Sequence, residues 1–171
     1  MQSSVSNSQI FEYNKTLLDL MNNFQCKVFD IEIQFNFSSC IKHKQLNALC
    51  KILSKVIHSV TISYTNIPDS KQFTKLFISC AHVKSLIFNL YEAPKLDFLT
   101  PKSKVRFDIE CLQFRLKYAD DLLTLLKQID EAPNLSPEIV DITVSESEVE
   151  LTEEDLNIFQ FKVRLCINNK I

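Results

Sequence analysis

The chain has 171 residues, a formal net charge of −2 and no glycine. At 46% hydrophobic and 23% charged it has the composition of a globular chain, long enough for one domain with a sizeable core. Lack of glycine excludes Gly-rich phosphate loops, the dinucleotide fingerprint and the nucleophile elbow, each of which needs backbone that only glycine adopts cheaply.

The apolar runs are too short to cross a bilayer, so no membrane insertion is expected. Residues 1–15 have neither a basic n-region nor an uninterrupted apolar h-region, which argues against a secretory signal. The six cysteines are Cys26, Cys40, Cys50, Cys80, Cys111 and Cys166, with no C-x-x-C spacing. Most sit beside apolar residues, so buried free thiols in an intracellular, cytoplasmic setting are expected. A disulfide framework is the alternative and requires a secretory route.

Residues 1–8 are polar and are expected to be disordered. Residues 9–24 read as a helix, with Ile10, Tyr13, Leu17, Leu20, Met21 and Phe24 near one stripe. Residues 28–37 alternate Ile31, Ile33, Phe35 and Phe37 against Asp30, Glu32, Gln34 and Asn36, which is a strand. A helix is expected over 41–57, with Leu46, Leu49, Cys50, Leu53 and Val56 inward, followed by a strand through Val60, Ile62 and Tyr64. Pro68-Asp69-Ser70 marks a turn and a helix start. Phe73, Leu76, Phe77 and Cys80 then share a helical face, and Val83, Leu86, Phe88 and Leu90 alternate as a strand.

Residues 92–104 carry two prolines and little helical period, so they read as an extended or short 3₁₀ connection. Ile109, Leu112, Phe114 and Leu116 restore a strand. Residues 119–131 read as a helix with Leu122, Leu123, Leu126 and Ile129 inward, and Val140, Ile142 and Val144 as a strand. Thr152 can cap a short helix with Asp155 three residues on, before a last strand through Val163, Leu165 and Ile167.

The central apolar residues of these strands, Ile31, Val60, Leu86, Leu112, Ile142 and Val163, are separated by 29, 26, 26, 30 and 21 residues. A period in the high twenties, with one strand and one return per unit, is a solenoid signature. An ordinary open α/β sheet gives the same alternation of elements but no reason for a period.

Val28-x-x-Ile31-x-Ile33-x-x-Asn36 fits L-x-x-L-x-L-x-x-N. The stretches from Ile57 and Ile139 fit with Thr65 and Ser147 at the polar position. Those from Val83 and Ile109 fit the apolar half but carry Tyr91 and Lys117 there, and Val163-x-Leu165-x-x-Asn168 fits the end. Over roughly residues 26–168 the chain resembles the leucine-rich repeat family, nearest its longer, helix-bearing, ribonuclease-inhibitor-like repeats.

The resemblance implies an α/β fold: a short arc of about six parallel strands on a concave face, with helices on the convex face. It implies a single domain over 9–171, with 9–25 as an N-terminal capping helix. It also implies a non-enzymatic protein-interaction module, a scaffold or adaptor subunit of a larger assembly. Two alternatives stand beside it: a small α/β enzyme with an unrecognised site, and the recognition arm of a ubiquitin-ligase adaptor.

His43, His58 and His82 form no i, i+4 pair, so no metal site and no cofactor are expected. No Ser–His–Asp or Cys–His order stands out, so no catalytic residue is assigned. Asp120-Asp121 and Glu153-Glu154-Asp155 are read as acidic helix openings that favour the positive end of the helix dipole. Ser145, Ser147 and Thr152 each precede an acidic residue by three, which suits acid-directed phosphorylation or ordinary capping.

Residues 42–117 carry net +8 and residues 118–156 net −11. In a stack this becomes a dipole able to orient a partner, and the ordinary reading is a solvated surface. Nucleic acid is disfavoured, because Arg is scarce and the acidic block repels phosphate. No small-molecule substrate is expected. For the partner-binding stripe, the residue before each polar repeat position gives Phe35, Tyr64, Leu90 and Leu116, with Ile87 beside them and Glu146 in the next repeat. They are expected to point outward on the strand face as an apolar interface. The competing reading makes Leu90 and Leu116 core.

Overall fold

A computed structural model of the chain describes residues 28–35, 43–64, 69–100, 104–146 and 151–167, and the single position 19. The expected helix over 9–24 (apart from position 19), the stretch 1–8 expected to be disordered, Cys26, Cys40, Asn36, Thr65, Ser147 and Asn168 lie outside the described residues.

The alternating stretches become strands β1 (Val28–Phe35), β2 (Val56–Tyr64), β3 (Ser85–Leu90), β4 (Cys111–Leu116), β5 (Ile139–Val144) and β6 (Lys162–Ile167). The helices are α1 (His43–Leu53), α2 (Ser70–Ser79), α3 (Leu122–Asp130) and the short α4 (Glu153–Leu156). All six strands join one parallel sheet whose order is the order of the chain, β1-β2-β3-β4-β5-β6. The fold is thus α/β.

Parallel neighbours need a crossover between them. Here every crossover advances one strand in the same direction; the β1–β2 pairing has a register shift between Val28 and Asp30, and from β2 onward the backbone repeats itself at each step. Lys84 N–H donates to His58 O, Glu110 to Lys84 O, Glu138 to Glu110 O and Lys162 to Glu138 O, at 2.9–3.0 Å.

One face of the sheet is buried. Val60, Leu86, Leu112 and Val140 form one rung of the core, and Ile62, Phe88, Phe114 and Ile142 the next. They pack with Leu46, Leu49 and Leu53 of α1, Phe73, Leu76 and Phe77 of α2, and Leu122, Leu125, Leu126 and Ile129 of α3 in a single core. Fully burying such a side chain is worth about 1.5–3 kcal/mol. These rungs therefore outweigh the exposed, solvent-screened ion pairs.

Among the described residues the long β3–β4 connection has no helix, in line with the sequence expectation. It fills the helical layer with side chains instead. Leu96 and Phe107 are buried, and Phe98 and Phe107 meet Phe77 edge-on at 5.3 and 5.5 Å. Gln128 of α3 holds the segment, accepting from Leu96 N–H at 2.9 Å and donating to Asp97 at 3.1 Å.

Helix ends differ from expectation where the backbone turns early. α1 stops at Leu53 and the chain turns at Ser54-Lys55, so Val56 opens β2 rather than closing the helix. Asp121 is the N-cap of α3: in a left-handed conformation at φ 60°, it accepts from Leu125 N–H at 3.0 Å through its carbonyl, and the helix begins at Leu122, later than the expected 119. Asp120 and Asp121 therefore do not form its acidic first turn. Two starts agree with the sequence. Asp69 caps α2 by accepting from Gln72 N–H at 3.0 Å, and Thr152 with Asp155 forms a capping box on α4. The bonds from Thr152 hold the Asp155 carboxyl below its ordinary pKa.

Candidate functional site

By the two-residue period, the residues between the core positions face the other side of the sheet. The registers align them into three rungs. The first is Asp30, Ser59, Ser85, Cys111, Ile139 and Lys162. The second is Glu32, Thr61, Ile87, Gln113, Asp141 and Arg164, and the third Gln34, Ser63, Asn89, Arg115, Thr143 and Cys166. None of these eighteen side chains is buried; each is half-buried or exposed. All-parallel sheets normally have both faces covered. Here, among the described residues, one face lies open.

The open face has a definite chemistry. Its middle is mostly polar, with Ser59, Ser63, Thr61, Ser85, Asn89, Gln113 and Thr143 around two apolar residues, Ile87 and Ile139, and two charged ones, Arg115 and Asp141. Its β1 side is acidic, through Asp30 and Glu32, and its β6 side basic, through Lys162 and Arg164. Asn89 donates to Ser63 Oγ at 2.7 Å, while its own carbonyl oxygen has no partner among the described residues. Arg164 lies 3.9 Å from Asp141 and His58 3.0 Å from Asp30. At the strand ends Lys117 sits 5.0 and 5.4 Å from the ring centres of Tyr91 and Tyr118, and 3.2 Å from Glu146.

Of the five residues expected on the binding face, only Ile87 is there. Leu90 and Leu116 are core, 5% and 2% exposed. Phe35 and Tyr64 are half-buried and pack against that core. The physical reason is parity. Each strand runs without interruption into the position before the polar residue, so Phe35 stays on the side of Ile33, Tyr64 on that of Ile62, and Leu90 on that of Phe88. Thr61, Gln113, Asn89 and Arg115, which the sequence reading passed over, take the open face. Counting strictly in twos from Leu86 and Phe88 finds them.

Phe35 and Tyr64 stack at 4.7 Å as directly opposed residues of β1 and β2. Burial, with the nearby Asp69 carboxylate adding to it, pushes the Tyr64 hydroxyl above its ordinary pKa. That hydroxyl has no hydrogen-bond partner among the described residues. A buried unmade bond costs about 1–3 kcal/mol. Tyr64→Phe, which removes only the oxygen, should therefore raise the urea midpoint, by about 1 kcal/mol in stability. A lower midpoint would show that the hydroxyl is satisfied.

Of the described cysteines, Cys80 is buried and Cys50 and Cys111 are half-buried, all three unbridged, and Cys166 is exposed. Burial raises the Cys80 thiol pKa far above the ordinary range, so it packs as an inert apolar group. Among the described residues no three His, Cys, Asp or Glu side chains cluster as metal ligands, and no helix is long and apolar enough to cross a membrane. Compared with family models, with curated proteins and with solved structures, the chain finds no match in any of the three.

Proposed function

We propose that the chain is a leucine-rich-repeat-like solenoid arc. In this reading it is a non-enzymatic protein-binding module that holds its partner on the open strand face, as a scaffold or adaptor subunit of a larger assembly. The observation that carries the reading is the strictly sequential parallel sheet, which puts its core on one side and, among the described residues, leaves the other uncovered. The recurring backbone bond from His58 to Lys162 supports the repeat.

On the face, Ile87 is flanked across the strands by the neutral hydrogen-bonding groups Thr61 and Gln113. That suits a protein surface or an extended peptide. The concentration of positive charge in residues 42–117 and of negative charge in 118–156 follows strand order, and would orient the partner on approach. An intracellular, cytoplasmic setting belongs to the same reading, in line with the unbridged thiols of Cys50, Cys80 and Cys111.

The experiment is affinity capture from the native source with two baits, wild type and an Ile87→Glu/Gln113→Arg variant. Proteins retained by the first and lost from the second, at unchanged melting temperature, are the expected result. Equal retention on both baits removes the open face as the binding site.

A further inference from the structure

The two ends of the sheet are complementary. β6 ends the strand order, with Lys162, Arg164 and Cys166 toward the open face and Val163, Leu165 and Ile167 toward the core side. Val163 and Leu165 are only half-buried there. The two exposed large hydrophobic residues among those described, Ile158 at 66% and Ile167 at 38%, both lie at this end. A strand in this position presents unpaired N–H and C=O groups along its free edge, a template for another strand.

β1, at the opposite end, carries the matching pattern. Asp30, Glu32 and Gln34 are exposed toward the open face, and Ile31, Ile33 and Phe35 are half-buried on the core side.

We propose that β6 of one copy pairs in parallel with β1 of a second copy, so that the sheet continues from molecule to molecule. If the rungs of the sheet carry across the junction, Lys162 stands opposite Asp30 of the second copy and Arg164 opposite Glu32. On the core side Val163 meets Ile31, Leu165 meets Ile33 and Ile167 meets Phe35. Opposite charges face each other at two positions, and three half-exposed apolar residues are covered by three more. Directly opposed cross-strand pairs of these kinds are favourable, and like charges in the same places are not. The contact is heterologous, using different surfaces on the two copies, so it builds chains or a ring rather than a closed two-fold dimer. It leaves the open face free and does not depend on what binds there.

The test is sedimentation velocity over a wide concentration range. Wild type should show concentration-dependent association beyond the dimer. Glu32→Arg and Arg164→Glu should each weaken it by about tenfold, because each puts like charges in register. An equimolar mixture of the two variants should recover association beyond the dimer, with the two variants alternating, since both mixed junctions have opposed charges at this position while each same-variant junction has like charges. Wild type that stays monomeric at the highest concentration overturns the proposal, as does association that neither reversal changes. If a variant fails to fold, hydrogen exchange on wild type decides. Amides of β1 and β6 should gain protection with concentration while those of β3 and β4 do not, and equal protection at all concentrations overturns it.

Discussion

Phe77→Ala should lower the free energy of unfolding by about 3–5 kcal/mol, the range for truncating a fully buried aromatic residue. Phe77 has no exposed surface and is the hub of the aromatic core. Phe88 stacks on it at 5.5 Å, and Phe73 leans on it at 6.0 Å from within the same helix. Phe98 and Phe107 of the β3–β4 connection reach it edge-on. The ring therefore joins α2, β3 and the β3–β4 segment, and among the described residues that segment has no helix of its own to hold it. Alanine leaves a cavity bounded by side chains from three elements, which cannot all collapse into it. Against a typical stability of 5–15 kcal/mol the loss is a large share. Denaturant unfolding with an unchanged slope measures it, and a loss below about 1.5 kcal/mol would mean that the connection is not packed on α2.

Leu116→Glu and Ile87→Glu should behave in opposite ways, although both replace an aliphatic strand residue with the same acid. Leu116 lies on the core side of β4, opposite Leu90 on one neighbour and Val144 on the other, and is 2% exposed. A carboxylate there has no partner and no water, at a cost of several kcal/mol, about 4 or more. The variant should be unfolded or barely folded by circular dichroism. Ile87 lies half-buried on the open face between Thr61 and Gln113. A glutamate there can reach solvent, so the melting temperature should move by only a few degrees while partner capture is lost. Matching losses of stability at both positions would mean that the second face of the sheet is covered as well.

The sequence by itself determined the elements. Alternation at Ile31, Ile33, Leu86, Phe88, Leu112 and Phe114 specified strands because side chains on a pleated backbone reverse sides at every residue. Helical spacing at Phe73, Leu76, Phe77 and Cys80 specified α2, and Asp69 and Thr152 marked helix starts because their side chains satisfy otherwise unbonded N–H groups. These are local effects, fully encoded within a few residues.

The side to which each strand end points was decided only by the tertiary structure. A motif position says which residues are apolar, but whether Leu90 and Leu116 face helices or solvent depends on how far the strand continues and on what lies above it. Continuous pairing of β3 with β4 from Ser85 to Leu90 kept them on the core side. The filling of the helical layer by Phe98 and Phe107 likewise follows from contacts with Phe77, twenty or more residues away. The sheet order also decides that β1 and β6 lie at opposite ends. Their charges are plain in the sequence, yet they become complementary only when the sheet sets one strand at each end.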